Sequence, residues 1–317
     1  MVAAQATLGA ASAIIPPAIA ALSLGLVGRR LLDGRISRNE SFDHGGNFTA
    51  AVLAGILGQY VGYNWIFYLV SAFALASAVA VRLIQPTEID HDRARGGEDP
   101  NNACEPVPVR DLLKRRDLIV FLASVVLFHF GNAATLPMAG QVFALTHPGE
   151  DAVALSACII AAQFVMVGVA WAVGRASARG IGRKAVFLVA LAVLPLRGIL
   201  FSFTPSPYGV VAIQLLDGVA AGIFGVIAVL IASDLMRGTG RFNMAQGLVA
   251  LAVGIGAGLS NATAGYVVQW FGHSIGFLYL AAIALCALSF FALLMPGTRE
   301  PDTAPARPVG AAQAVAA

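Results

Sequence analysis

Long apolar stretches separated by short polar gaps dominate the chain. About nine of them can cross the hydrocarbon as helices, since a crossing needs roughly 20 apolar residues. We predict membrane-spanning helices over residues 6–28, 46–63, 66–84, 118–142, 153–174, 185–203, 208–233, 243–269 and 274–296. The pattern predicts an all-α polytopic membrane protein.

The basic residues alternate with these stretches. All but one of the 20 Lys and Arg residues lie in every second gap or, like Arg82, at the edge of one, and the exception, Arg197, lies inside a stretch. Short cytoplasmic loops retain positive charge during insertion. We therefore expect a multi-pass protein of the cell inner (plasma) membrane with its basic gaps and its C-terminus in the cytoplasm.

Composition narrows the class further. The chain is 58% hydrophobic and 12% charged, whereas a soluble globular protein has about 25% charged residues. The net charge of +3 reflects the loop pattern, so the expected surroundings are a lipid bilayer and no nucleic-acid partner is expected. The cysteines (Cys104, Cys158 and Cys286) have no metal or disulfide spacing, and we expect neither a metal nor a cofactor.

A hydrophilic segment divides the chain. Residues 85–117 carry prolines, paired glycines and charges of both signs, which predicts a cytoplasmic central linker between three helices in 1–84 and six in 118–297. Residues 108–117 predict a short amphipathic helix, and the Ala/Pro-rich tail at 298–317 predicts disorder. Six helices after a central loop are typical of a transporter half built from two inverted three-helix repeats.

Several segments carry a family resemblance. They are the central basic loop, the loop GRASARGIGRK at 174–184, the run QLLDGVAAGIFGVIAVLIASDLMRGTGRFNMAQG at 214–247 and the stretch YNWIFYL at 63–69. In these the chain resembles bacterial permeases of the major facilitator superfamily (MFS), over residues 3–300. The resemblance implies an MFS-like helical bundle whose N-terminal half is incomplete, lacking the first three family helices, and whose six-helix C-terminal half is complete.

The resemblance also suggests a role for the loop at 174–184. In the family, an acid and arginines of this loop latch helix ends in one access state. Here Gly182, Arg183 and Lys184 match the end of the motif, while its acidic position is Arg179, or Ala178 if counted from Gly174. We therefore expect a degenerate latch, and the alternative is that the cations of this loop only anchor the topology.

Two charges inside the predicted helices require an explanation. Arg197 and Asp217 lie at matching depths, about 14–16 Å from the turn that joins their antiparallel helices. Because a charge in the bilayer is costly, we predict that they form an ion pair or face one aqueous cavity. A permanent, purely structural bridge is the alternative. If Asp217 faces a cavity, its carboxyl is a candidate proton carrier.

Further polar residues are candidates for the substrate and proton pathway. His129 and Asn132 lie one helical turn apart near the predicted midplane, where such transporters bind substrate, and Gln163 and Gln214 are single amides in apolar surroundings. The alternative for each is a polar group satisfied by a neighbouring helix. Small residues at three- and four-residue spacing predict close helix packing in two spans, at Gly218, Gly222 and Gly225 and at Gly247, Gly254 and Gly258.

Taken with the resemblance, these features predict a secondary active transporter. We expect it to move a small organic solute by alternating access, coupled to protons and acting as a monomer. Its sequence has no glycine-rich nucleotide loop and no HExxH or Ser/His constellation, so neither ATP-driven transport nor an enzyme is predicted. The alternatives are a truncated non-transporting remnant or membrane regulatory subunit and, less favoured, an intramembrane enzyme.

Overall fold

The fold comes from a computed structural model, which describes residues 2–62, 64–97, 105–146, 151–204 and 206–297. Within these ranges the regular structure is helical throughout, which confirms the predicted all-α class. A 3-10 turn at Pro86–Glu88 accompanies the α-helices, which are α1 (Val2–Tyr60), α2 (Asn64–Arg82), α3 (His91–Ala94), α4 (Val109–Leu112), α5 (Arg116–Asn132), α6 (Thr135–Thr146), α7 (Asp151–Ala178), α8 (Arg183–Phe203), α9 (Pro207–Leu235) and α10 (Phe242–Leu294). Among the described residues, 7 helical stretches are long and apolar enough to cross a membrane.

Two of these stretches, α1 and α10, are hairpins that reverse at a glycine. Gly28 has φ 69° and Gly272 has φ 80°, a left-handed conformation that glycine adopts without steric cost. Asn39 Nδ2 donates to Ser23 Oγ over 2.9 Å, although sixteen residues of straight helix would span about 24 Å. In α10, a Cβ on Gly276 would lie 2.7 Å from Val268 Cγ2 on the other side of Gly272, so this helix reverses as well. Each hairpin supplies two antiparallel segments, so the described residues contain about nine segments suited to crossing a membrane, as the apolar pattern predicts.

The second arm of α1 begins earlier than predicted. Residues 29–45 were expected to form a polar gap, but they are helical and continue into the apolar segment that ends at Tyr60. The gap prediction is wrong because this stretch is amphipathic: Leu32 and Ile36, four residues apart, are buried in the core. Two of its charged residues, Arg29 and Asp33, meet partners on other helices.

The helix predicted over 118–142 is broken in the middle. α5 ends at Asn132, and α6 begins at Thr135. Pro137 in the first turn of α6 explains the break, since its ring would clash with the carbonyl of Ala133 in a continuous helix. The freed N–H of Ala134 donates to Ser260 Oγ of α10 over 3.0 Å, so the break is held in place from a neighbouring helix.

The central linker is folded onto one end of the bundle. The backbone N–H of Asp90 donates to Gly25 O over 3.3 Å, and Gly96 O accepts from the N–H of Gly238 over 2.9 Å. The amphipathic helix predicted over 108–117 is present only as the four-residue α4, which buries Leu112. We call this end of the bundle the basic end; it comprises the turn at Gly28, linker residues 90–97 and the turns at 179–182 and 236–241. Cys104 and the tail from residue 298 lie outside the described residues.

The two glycine patterns pack differently. A Cβ on Gly218 would lie 2.7 Å from Val165 Cβ of α7, and one on Gly222 would lie 3.1 Å from Val169 Cβ, so α7 and α9 touch along this face. At Gly247, Gly254 and Gly258, in contrast, an added Cβ would meet no described atom within 4 Å. The close packing predicted for the second pattern is therefore not found among the described residues.

This difference predicts opposite effects of adding one methyl group. Gly218→Ala is expected to lower the free energy of unfolding by about 1–3 kcal/mol, because the methyl group overpacks the contact with α7. Gly254→Ala is the matched control and is expected to raise stability by roughly 0.5–1 kcal/mol through helix propensity. Equilibrium unfolding in mixed micelles measures both, and a neutral Gly218→Ala would contradict the packing described here.

Candidate functional site

A buried polar cluster lies where α5 breaks. Arg197 of α8 is 2% exposed, and its Nη1 donates to Asp217 Oδ1 of α9 and to Asn132 Oδ1 of α5. Gln214 Nε2, one turn before Asp217, donates to Asp217 Oδ2 over 2.9 Å. We call these four residues the central cluster. The ion pair predicted from helix depth is present, and it joins three helices rather than two.

The sequence places each member of the central cluster by a simple local rule. Gln214 and Asp217 are three residues apart on α9, so their side chains lie on the same face. Asn132 is the last residue of α5, where the helix stops and a side chain can turn inward. Arg197 lies two residues after Pro195 on α8 and is covered by the ring of Phe201, with its guanidinium carbon 5.7 Å from the ring centroid.

Two atoms of the central cluster lack a partner. Arg197 Nε and Gln214 Oε1 are buried and accept or donate no hydrogen bond among the described residues. Leaving such a group unpaired costs about 1–3 kcal/mol, so a buried polar group normally has a hydrogen-bond partner, which can be water or a ligand. One free atom is a donor and the other an acceptor, so a partner for both would have to offer an acceptor to Arg197 and a donor to Gln214.

His129 lies one turn from Asn132 but outside the cluster. Its Nδ1 donates to the backbone oxygen of Val125 over 3.1 Å. Its ring meets the ring of Phe224 edge-on, with the centroids 4.6 Å apart, and also contacts Phe128. His129 is therefore positioned by an aromatic cluster next to the polar one. Gln163 is also separate, because it contacts His44 of α1 over 2.9 Å.

A second polar group lies at the basic end. Arg183 is 8% exposed at its side chain, and its Nε donates to Asp234 Oδ2 over 2.7 Å. Its Nη1 donates to Asp33 Oδ2 over 2.9 Å and to Ser177 Oγ over 2.9 Å, and Ser177 Oγ also donates to Asp33. We call Asp33, Ser177, Arg183 and Asp234 the basic-end bridge. It ties the second arm of α1 to three helices that follow the linker.

The bridge gives Arg183 partners that the loop motif itself does not supply. The loop motif lacks its acid at 178 or 179, but Arg183 finds two acids at the ends of other helices, Asp33 and Asp234. Asp234 lies in the last turn of α9, where a carboxylate is unfavourable beside the negative end of the helix dipole, and Arg183 compensates for it. Gly182 is the N-cap residue of α8, and Lys184 donates to Ala292 O of α10 over 2.9 Å. Both residues therefore act among the helices that follow the linker, α5 to α10, which we call the later block; α1 and α2 form the earlier block.

Sequence reasoning missed Asp33 and Asp234 as functional candidates. A signal for Asp33 was present, since it is the one acid among the basic residues from 29 to 38. Asp234 is the first acid after Asp217, at the end of an otherwise apolar run. Glu40 and His44 were missed as well, because the segment that carries them was taken for a loop.

These features define a class of protein. The bundle is all-helical and has apolar crossing segments, a broken helix beside a buried ion pair, and cationic turns gathered at one end. These features are typical of a multi-pass membrane protein of the transporter type.

Residues 1–195 match the family model described as Major Facilitator Superfamily. The chain is also 44% identical over 301 residues to an uncharacterized MFS-type transporter of Mycobacterium tuberculosis strain CDC 1551 / Oshkosh and, equally, to one of strain ATCC 25618 / H37Rv. These matches cover 94% of this chain and 72% of each relative. The chain belongs to the major facilitator superfamily.

Proposed function

We propose that the protein is a secondary active transporter that moves a small organic solute by alternating access and uses protons as the driving ion. Membership of the family supports transport. The proposed solute, the alternating access and the use of protons rest on the geometry of the two polar groups. We place the basic end in the cytoplasm of an inner-membrane protein, because positively charged turns stay on the cytoplasmic side during insertion.

The basic-end bridge is the observation that carries this proposal. It joins α1, which precedes the linker, to α7, α8 and α9, which follow it. Charge-assisted hydrogen bonds of this kind contribute about 1.5–3 kcal/mol each. A bridge that forms in one access state and breaks in the other therefore strongly favours the state in which it is formed. Because the bridge sits at one end of the bundle, its formation closes that end and leaves the opposite end free to open.

The central cluster is the proposed substrate site. It lies inside the membrane-spanning region at a break in a helix, which is where transporters of this architecture bind their cargo. Arg197 Nε and Gln214 Oε1 offer an unused donor and an unused acceptor. A solute with a carboxylate or carbonyl oxygen and a hydroxyl or amine satisfies both. One copy of the chain holds both polar groups, so we propose that a monomer transports.

Reconstitution into proteoliposomes tests the proposed function. With a pH-sensitive dye inside the vesicles, we expect a solute of the proposed class to produce a proton flux that depends on its own gradient. Asp217→Asn is expected to reduce this flux at least tenfold, since it removes the charge that pairs with Arg197 and leaves one acceptor oxygen where Arg197 and Gln214 use two. The matched control is Asp111→Asn on α4, whose side chain pairs with the exposed Lys114, and it should leave the flux unchanged. Solute movement that carries no protons would contradict the coupling, and no movement of any such solute would contradict the transporter.

A further inference from the structure

A Glu and a His meet at the contact between the second arm of α1 and the later helices. Glu40 and His44 lie one turn apart, with Glu40 Oε2 3.8 Å from His44 Nε2. His44 is buried, and its Nδ1 lies 2.9 Å from Gln163 Oε1 of α7. On α9, a Cβ added to Gly225 would lie 2.5 Å from Glu40 Oε2, so this glycine leaves room for the carboxyl group.

The hydrogen bond to Gln163 fixes the position of one proton. An amide oxygen only accepts, so Nδ1 of His44 carries a hydrogen and donates it. In the neutral ring, Nε2 is then a lone-pair acceptor, and it has no hydrogen-bond partner among the described residues. A carboxylate opposite this nitrogen would place two acceptors face to face. The arrangement is complementary only when one further proton is present, on Glu40 or on His44.

Among the described residues that face this contact, no cation replaces this proton. α7 presents Gln163 and Val167 to this contact, and α9 presents Gly225. On α1 itself, Asp43 adds a second negative charge near Glu40, and the adjacent cation Arg38 is turned to the ring of Phe42. His129 of α5 contacts Phe224, the residue before Gly225. A buried carboxylate without a cation is costly, so neutralisation by a proton is favoured.

We propose that Glu40 and His44 form a proton-binding pair that takes up one proton, on Glu40 Oε2 or on His44 Nε2. The site is completed by residues from both sides of the linker, Gln163 and Gly225 on one side and α1 on the other. If α1 moves away from α7 and α9, Gln163 no longer fixes the ring and water reaches the pair, so the proton is released. This last step rests on the proposed alternating access, whereas proton binding by the pair does not.

Infrared difference spectroscopy of the purified full-length protein tests the pair directly. We expect the carbonyl band of a protonated carboxylic acid to titrate with pH, to disappear in Glu40→Gln and to persist in Asp43→Asn, the control on the exposed side of the same helix. In His44→Gln the midpoint should move by about one pH unit or more, as expected for two coupled groups. A band that survives in Glu40→Gln, or an unchanged midpoint in His44→Gln, would overturn the pair.

Spin labels separate this inference from the proposed function. Cysteines at the exposed positions Arg38 and Arg179, in a variant without native cysteines, report the distance between α1 and the end of α7. We expect a longer distance in alkaline than in acidic buffer, and no such change in Glu40→Gln. A titrating Glu40 with a constant distance would support the pair and overturn its coupling to alternating access. A pH-dependent distance that persists in Glu40→Gln would overturn the pair as the coupling site and leave alternating access standing.

Discussion

Replacing Arg197 by leucine is expected to lower the free energy of unfolding by about 3–5 kcal/mol, because it leaves the carboxylate of Asp217 buried and uncompensated. Arg197 is the largest of the fully buried side chains among the described residues, so its loss also opens a cavity beside Asn132. Equilibrium unfolding in mixed detergent micelles measures the change. Arg30→Leu, at an exposed position on α1, is the control and should stay within about 0.5 kcal/mol of the wild type.

Two double variants show whether the loss arises from the pair itself. Replacing both Arg197 and Asp217 by leucine removes both charges, and should recover most of the stability that either single variant loses. Exchanging the two residues keeps the pair and reverses its direction, and should rescue each single variant at least in part. If the exchange rescues neither, direct pairing does not hold the three helices together.

Replacing Arg183 by methionine is expected to open the basic end. The substitution keeps an unbranched side chain as far as the position of Nε but removes the hydrogen bonds to Asp33 and Asp234. The loss of even 1.4 kcal/mol changes an equilibrium about tenfold, and each of these bonds is worth about 1.5–3 kcal/mol. A cysteine at Ser37, a buried residue that packs against Gly174 of α7, reports the opening. We expect thiol reagents to label it at least about ten times faster in Arg183→Met.

Lys184 provides the matched control for this experiment. It is the next residue in the chain and has the same charge, but its ammonium group binds Ala292 O within the later block. Lys184→Met should therefore leave the labelling rate at Ser37→Cys close to that of the parent variant. Equal labelling in the Arg183→Met and Lys184→Met variants would show that the bridge does not hold the blocks together.

The number and boundaries of most crossing segments follow from apolar length alone, because lipid requires about 20 apolar residues per crossing whatever the tertiary context. The prediction fails where a polar stretch is helical and where an apolar stretch contains a break. In residues 29–45, Arg29 and Asp33 have partners on other helices, Ser233 and Arg183, and no local signal shows this. The break after Asn132 was visible only as Pro137, which is compatible with a kink as well as with two helices.

The central cluster could be predicted in part and the bridge could not. Arg197 and Asp217 lie on consecutive helices, so counting residues from their shared turn places them at equal depth. Arg183 and Asp33 are 150 residues apart in the chain, and nothing in a single sequence states that the ends of their helices meet. The same holds for His44 and Gln163, which are 119 residues apart.

The central linker has a consequence for protein engineering. Its peptide groups complete the turn between α9 and α10: Gly96 O accepts from Gly238, Arg95 O accepts from Phe242, and the N–H of Val107 donates to Thr239 O. A flexible glycine-serine spacer in its place would span the distance between the blocks but would leave these backbone groups without their partners. Affinity tags and split-protein junctions that must preserve the native assembly therefore belong elsewhere, for example at the exposed hairpin around Gly180, whose left-handed glycine has open space around it.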